Sequence, residues 1–147
     1  MTQIQPRRNY LGALGWIWAG NYKLERYLYI FHRITGLGIL LFLLLHLVMT
    51  TVFRVQGKEV WEATMEVLHN PWFKVGEYLV VVAFLYHALN GLRLIIQELG
   101  FALGRPRPPI YPYKDSLRRK RYWTILIISI VVILCVVFFY DFIAGGW

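Results

Sequence analysis

The chain has 147 residues, 58% of them hydrophobic, and a mean hydropathy of +0.48. A soluble domain of this size is usually close to half apolar, and the excess here is concentrated in three long runs, which places the chain among membrane proteins. The net charge of +8 is carried by residues that flank these runs, so it indicates orientation in a membrane and argues against nucleic acid as a partner.

The predicted elements begin with a cytoplasmic or interfacial segment, residues 1–26. Its apolar stretch Leu11–Gly20 is too short to span a bilayer, and its tryptophans favour an interfacial position. A three-helix transmembrane domain is predicted for residues 27–147. Its spanning helices are expected at about 27–51, 78–97 and 122–143, and each supplies the roughly 20 residues that a hydrocarbon core of about 30 Å demands.

Two connections have recognisable patterns. Trp61–Trp72 is predicted to form a short helix on the outer side that stops before Pro71. Arg105–Tyr113 has four prolines in nine residues and is predicted to be an extended cytoplasmic strap. Lys and Arg are concentrated before the first helix and between the second and third. The predicted fold is therefore an all-α membrane protein with three transmembrane helices, a cytoplasmic N-terminus and a C-terminus outside.

Polar side chains interrupt the first apolar run, FHRITGLGILLFLLLHL (residues 31–47). At about 1.5 Å per residue, Arg33 lies about 9 Å deep and His46 about 28 Å deep. His32 and His46 are fourteen residues apart, close to four turns, so they share a face, on which Gly36 also lies. Ionisable groups are expensive in lipid, so their presence here indicates function.

The second helix places His87 near the middle of the bilayer, with Ala83 one turn before it and Gly91 one turn after it. These small residues predict open surface on both sides of the imidazole. Simpler readings stay open. A single buried histidine often only hydrogen-bonds a neighbour, and a glycine one turn away more often serves helix packing. Arg33 and Arg93 are also explained as interfacial residues whose side chains snorkel to the cytoplasmic headgroups.

Taken together, the histidines favour haem, because histidine is a common axial ligand of haem iron. His46 and His87 differ in depth by roughly 13 Å on the helical rise, so they do not ligate one iron. Each then needs a partner histidine from another chain. The sequence therefore predicts an obligate partner in the membrane.

Two motifs resemble a known family. HRITG (residues 32–36) is similar to the H-R-x-[ST]-G motif of the cytochrome b (C) membrane-anchor subunit of succinate dehydrogenase and fumarate reductase. LYHALNGLRLIIQELG (residues 85–100) is similar to that family's second signature, H-x-x-x-G-x-R followed by an acidic residue and glycine. The motifs fall on the first and second helices, as in the family. The resemblance covers about residues 27–101.

The resemblance implies a subunit of succinate:quinone oxidoreductase, respiratory complex II, with several passes through a prokaryotic plasma membrane. In that complex, electrons pass from succinate through a flavoprotein subunit and an iron–sulfur subunit to quinone at the cytoplasmic face. This chain has no flavin fold and only one cysteine, Cys135, so it has no cysteines for an iron–sulfur cluster. It is expected to be a component of an enzyme rather than its catalytic core.

The same resemblance assigns roles to individual residues. His87 becomes an axial ligand of haem b, and Arg33 lies at the quinone site and near a haem propionate. His32 and Arg93 are expected beside the propionates.

Two positions depart from the family pattern. Many members have a serine that contacts quinone where this chain has Tyr29, whose phenol can also hydrogen-bond a quinone carbonyl. Many members also have a histidine where this chain has Leu94, so one propionate contact is missing.

His46 resembles the histidine that serves a distal haem in two-haem members of the wider family. We therefore expect two haems, with His87 on the proximal haem and His46 on the distal haem, and with a second membrane-anchor subunit supplying two more histidines. A distal haem favours menaquinone as the acceptor. The alternatives are a haem-free structural anchor, a haem-binding subunit of another membrane oxidoreductase, and a small transporter or channel.

Overall fold

The computed structural model describes Leu14, residues 19–101 and residues 121–145, with side chains described from residue 24 onward in the first of these ranges. Within these parts of the chain the structure is helical and contains no strand. Most of the predicted interfacial segment before residue 19, and the proline-rich strap Arg105–Tyr113, lie outside the described residues.

Four α-helices follow one another in the described ranges: α1 (Ala19–Val48), α2 (Lys58–Leu68), α3 (Pro71–Glu98) and α4 (Arg121–Ala144). α1 continues into a π-helical segment, Met49–Phe53. Three helical stretches are long and apolar enough to cross a membrane: Leu24–Phe53, Pro71–Glu98 and Arg121–Ala144. The predicted all-α class with three spanning helices is confirmed, and the chain is a multi-pass membrane protein.

The helices extend beyond the apolar runs that predicted them. α1 begins at Ala19 rather than near residue 27, and α3 begins at Pro71 rather than near residue 78. Apolar runs mark only the lipid-embedded part of a helix, whereas the backbone stays helical into the interface. α3 starts where its local sequence dictates, because the Asn70 side chain accepts a hydrogen bond from the Trp72 N–H at 3.1 Å and Pro71 occupies the first helical position.

The short helix predicted between the first two spans is also present. α2 ends at Leu68, before Pro71, as the sequence indicated. At the other end of α3, Gly100 has φ +84°, and the N–H groups of Gly100 and Phe101 donate to the carbonyls of Gln97 and Ile96. This is the Schellman arrangement, for which glycine is the favoured residue because it adopts positive φ without strain.

α3 lies at the centre of the bundle and makes the main contacts with both α1 and α4. It runs antiparallel to both. Glu25, near the start of α1, and Thr124, near the start of α4, both contact Arg93 near the end of α3. We call this the Glu25 end of the bundle, and the opposite end, where α1 carries its last histidine, the His46 end.

The interior of the bundle is more polar than its surface. Among the described residues, the buried hydrophobic side chains are Leu28 and Val131, whereas the buried polar ones are Asn90, Arg93, Gln97 and Thr124. Most large apolar side chains of the helices point outward. A bilayer solvates apolar side chains and leaves polar groups to be satisfied inside the protein, so this distribution is the one expected in lipid.

Candidate functional site

The two sequence motifs meet at the crossing of α1 and α3. Each has the form H-x-x-x-G: His32 to Gly36 on α1, and His87 to Gly91 on α3. Because the helices are antiparallel, each histidine lies level with the glycine of the other helix. The two imidazoles stack, with ring centroids 4.1 Å apart and planes inclined by 5°.

The glycines make room for these rings. A Cβ atom at Gly36 would lie 2.7 Å from Cε1 of His87, and one at Gly91 would lie 3.3 Å from Cε1 of His32. The expectation of open surface on both sides of His87 is wrong on one point, because the surface of Gly91 is covered by the His32 ring. Helix packing and imidazole placement are therefore served by the same two glycines.

Gly36→Ala is expected to displace the His87 ring, because 2.7 Å is closer than a Cβ atom and a ring carbon can approach. Gly38→Ala is the matched control, since no described atom lies within 4 Å of a Cβ there. We expect the first variant to alter the absorption spectrum of any group bound by His87 and the second to leave it unchanged. Equal spectra in both variants would contradict this placement of the ring.

His87 is held in one tautomer by the backbone of α1. Its Nδ1 lies 3.0 Å from the carbonyl oxygen of His32 and 3.4 Å from Oγ1 of Thr35. A carbonyl only accepts hydrogen bonds, so Nδ1 carries the proton and Nε2 keeps its lone pair. Metal-binding histidines characteristically donate their other ring N–H to a carbonyl or carboxylate in this way.

A groove of about 590 Å³ opens beside the stacked imidazoles, within the range of roughly 300–1,000 Å³ typical of cofactor sites. Its lining comprises His32, His87, Ala88, Gly91, Leu92, Leu94, Ile95 and Glu98. Nδ1 of His32 is buried and has no hydrogen-bond partner in the described part of the chain. In those same ranges no three metal-binding side chains come together. The site thus offers one nitrogen ligand and an orphaned polar atom beside a mainly apolar wall.

Arg33 and Tyr29 form an exposed pair on α1. Nη1 of Arg33 donates to the Tyr29 hydroxyl at 2.9 Å, and the guanidinium carbon lies 5.6 Å from the centre of the Tyr29 ring. The phenol accepts this bond, so its own O–H remains a donor, as do other N–H groups of Arg33. The pair presents convergent donors on the outer surface of α1, near its Glu25 end.

Arg93 lies inside the bundle and does not snorkel. Its side chain is 5% exposed, and Nη1 is 3.2 Å from Oε2 of Glu25 and 2.8 Å from Oγ1 of Thr124. The snorkelling interpretation of Arg93 is therefore wrong. The helix presents this position to α1 and α4, and the carboxylate of Glu25 compensates its charge.

Glu25 and Thr124 were not singled out from the sequence, nor were other buried polar residues of α3. A signal for the latter exists, since Tyr86, Asn90, Arg93 and Gln97 follow one another at spacings of four, three and four residues. Such spacing puts all four on one face of α3. We call this set, together with Glu25 and Thr124, the inner polar stripe.

His46 stands apart from the stacked pair. It lies about 21 Å along the helix from His32, at about 1.5 Å per residue. Its side chain is exposed, with the Phe42 ring stacked at 5.7 Å, and no hydrogen bond of its ring nitrogens occurs in the described ranges. The structure thus brings His32 and His87 together and leaves His46 on an open surface.

Comparison with known proteins identifies the family of the chain. The family of succinate dehydrogenase/fumarate reductase transmembrane subunits matches residues 17–136. The chain is also similar to succinate dehydrogenase 2 membrane subunit SdhC of Mycobacterium tuberculosis, with 34% identity over 92 residues, which is 62% of this chain and 59% of that protein. The chain thus spans about three fifths of this relative's length, and no solved structure matches it. Because the family match extends over far more than half of the sequence, the chain belongs to the succinate dehydrogenase/fumarate reductase transmembrane subunits.

Proposed function

We propose that this chain is the membrane-anchor cytochrome b subunit of a succinate:quinone oxidoreductase in a prokaryotic plasma membrane. Its N-terminus is cytoplasmic, and its partners are a flavoprotein subunit, an iron–sulfur subunit and a second membrane-anchor subunit. The single observation that supports the haem assignment best is the fixed tautomer of His87, whose Nδ1 bonds the His32 carbonyl beside a groove of about 590 Å³.

The residues at the crossing of α1 and α3 fit a haem b. His87 would provide Nε2 to the haem iron, and the carbonyl of His32 orients its ring. Two buried nitrogens without partners in the described ranges would face propionates: Nε of Arg93, which is a donor, and Nδ1 of His32, which donates when it is protonated. Haem b supplies one-electron oxidation and reduction, and the apolar wall of the groove keeps water from its iron.

His46 is proposed as the ligand of a second, distal haem. An imidazole on the lipid-facing surface of a spanning helix needs a polar partner, and this chain provides none within the described ranges. The second membrane-anchor subunit supplies the polar partner that His46 needs. It also supplies two further histidines, one for each haem. A distal haem favours menaquinone, because succinate oxidation by a low-potential quinone is uphill and a second haem links electron transfer to the membrane potential.

Quinone is proposed to bind near Arg33 and Tyr29. Both side chains are exposed on α1 and already hydrogen-bonded to each other, so their remaining donors are held in one place for a quinone carbonyl. This pair adjoins His32 in the sequence and therefore lies close to the haem groove. Arg33 also lies within reach of a haem propionate in this proposal.

Haem content tests the assignment. Purified wild-type complex is expected to contain two haems b per copy of this chain, and the His46→Ala complex is expected to contain one. Haem is measured by the pyridine haemochrome assay against protein mass, with succinate-dependent reduction followed in the optical spectrum. His69→Ala is a matched control, because His69 is exposed between α2 and α3.

Other results assign other functions. Equal haem content in the wild type and the His46→Ala variant would indicate that His46 serves helix packing and is not a haem ligand. A wild-type complex without haem would favour the haem-free structural anchor, and haem that succinate does not reduce would favour a subunit of another oxidoreductase.

A further inference from the structure

The inner polar stripe is the largest buried polar feature that the proposed cofactor sites leave mostly unused. Its α3 members line the face turned toward α1 and α4, and its hydrogen bonds cross between helices. Tyr86 donates to the Leu28 carbonyl at 2.7 Å, and Arg93 bonds both Glu25 and Thr124. Asn90 is fully buried and Gln97 is 9% exposed. Three helices thus bring polar groups to one line inside the bundle.

Several atoms of this stripe have no partner. Both amide atoms of Asn90, Nε of Arg93 and Oε1 of Glu25 are buried without a hydrogen bond in the described part of the chain. Buried polar groups in native proteins almost always have a partner, either protein or ordered water. Asn90 alone offers two donors and two acceptor lone pairs. Buried waters typically make about three hydrogen bonds each to groups of this kind.

Glu25 connects the stripe to the surface. Its side chain is 22% exposed, one carboxylate oxygen holds Arg93, and the other is buried without a hydrogen-bond partner among the described residues. Among the described residues, Arg93 pairs with it, and the other charged and titratable groups at this end include Tyr86 of α3, Arg121 of α4 and Arg26 of α1. Among the residues of the stripe, the carboxylate is the group that can both take up and release a proton, because arginine stays protonated, amides do not titrate, and a tyrosine phenol keeps its proton at neutral pH.

The inner end of the stripe reaches the stacked imidazoles. Asn90 precedes Gly91, and Gly91 lies against the His32 ring, whose buried Nδ1 also has no hydrogen-bond partner in the ranges that the structure describes. Arg33, the proposed quinone residue, follows His32 directly. Polar groups with unused hydrogen-bonding capacity in the described ranges therefore extend from the partly exposed Glu25 to His32, the residue before Arg33.

We propose that the stripe holds a cluster of internal waters around Asn90, and that Glu25 and this cluster carry protons from the Glu25 end of the bundle to the bound quinone. This inference rests on the proposed function. One quinone accepts two electrons from the iron–sulfur partner and two protons to become quinol. The Glu25 carboxylate takes up each proton from the aqueous phase and passes it to the water cluster, which returns Glu25 to the carboxylate paired with Arg93.

The test uses the intact complex in lipid vesicles and compares Glu25→Gln with wild type. Glu62→Gln is the matched control, because Glu62 is an exposed carboxylate of α2 that pairs with Lys58. Quinone reduction by succinate is measured across pH in H₂O and D₂O, and electron delivery to a soluble dye is measured separately. Glu25→Gln is expected to slow quinone reduction by at least about tenfold. This is less than the roughly 10²–10⁴-fold contribution of a residue that acts directly as general acid or base.

In the Glu25→Gln complex, dye reduction is expected to be unchanged, and the solvent isotope effect on quinone reduction is expected to rise. The Glu25→Asp complex is expected to recover most of the wild-type rate of quinone reduction. A Glu25→Gln complex with the wild-type rate, pH profile and isotope effect would overturn the proposal. If that variant does not assemble, the structure of the wild-type complex tests the proposal. A cryo-EM map that resolves ordered water is expected to show at least one water hydrogen-bonded to Asn90, and a dry site would overturn the proposal.

Failure of the underlying function gives a different result. A wild-type complex that reduces the dye but neither haem nor quinone would overturn the cytochrome assignment, and the proton route with it. A complex with normal haem reduction and quinone turnover in the Glu25→Gln variant would overturn the proton route alone.

Discussion

Replacing His87 with alanine is expected to remove one haem b from the purified complex and to leave the haem served by His46 in place. Its imidazole lines the groove, and its Nδ1 is already committed to the His32 carbonyl, which leaves Nε2 as a ligand. Alanine cannot replace the iron–nitrogen bond. Succinate-dependent quinone reduction is expected to fall in parallel. Haemochrome assays and reduced-minus-oxidised spectra on equal amounts of complex measure the loss.

The control for His87→Ala is His69→Ala, which removes an imidazole from an exposed turn and is expected to keep the wild-type haem content. A His87→Gly complex grown or incubated with free imidazole is expected to recover part of the lost haem, because the added ligand occupies the vacated volume beside Gly36. Wild-type haem content in both alanine variants would contradict the assignment of His87. Equal loss in both would indicate impaired assembly rather than a lost ligand.

Replacing Arg93 with leucine is expected to destabilise the complex by about 3 kcal/mol, the lower part of the range for breaking one side of a buried ion pair. The lower value is chosen because Glu25, which loses its partner, is 22% exposed and keeps some contact with water. Thr124 also loses the hydrogen bond of its buried hydroxyl. Thermal unfolding of the detergent-solubilised complex, compared with wild type under identical conditions, measures the effect.

Arg33→Leu provides the comparison for Arg93→Leu, since it removes the same side chain from the exposed face of α1. We expect its unfolding temperature to stay near that of wild type, because an exposed contact such as that with Tyr29 contributes little to stability. Its KM for quinone is expected to rise. Equal destabilisation by the two substitutions would contradict the buried ion pair, and an unchanged KM in Arg33→Leu would contradict the quinone site.

The two arginines show how far sequence alone goes. Both stand toward the same end of spanning helices, so their depth was predictable from the helical rise. Depth does not tell which way a side chain points. Arg33 lies on the outer face of α1, whereas Arg93 lies on the face of α3 that two other helices cover. Only packing distinguishes a residue that reaches for solvent from one that forms an internal ion pair.

The histidines illustrate the same limit. The sequence identified His32, His46 and His87 as intramembrane polar groups, because apolar runs make such residues conspicuous. It also located the glycines one turn from His32 and His87, but not what lies against them. The antiparallel crossing of α1 and α3 decides that Gly36 accommodates His87 and Gly91 accommodates His32. A pairing between distant segments depends on helix direction and register, which neither motif contains.

The sequence by itself determined the membrane class, the three spanning helices and the candidate ligands, since each follows from local composition and spacing along one helix. The helices start earlier in the chain than the apolar runs that predicted them, because hydropathy marks only the part of a helix that contacts lipid. The start of α3 is set by Asn70 and Pro71. Only the tertiary structure decided the imidazole stack, the tautomer of His87 and the inner polar stripe. These depend on contacts between α1, α3 and α4, where residues more than thirty positions apart meet in a medium whose hydrocarbon offers polar groups no hydrogen-bond partner.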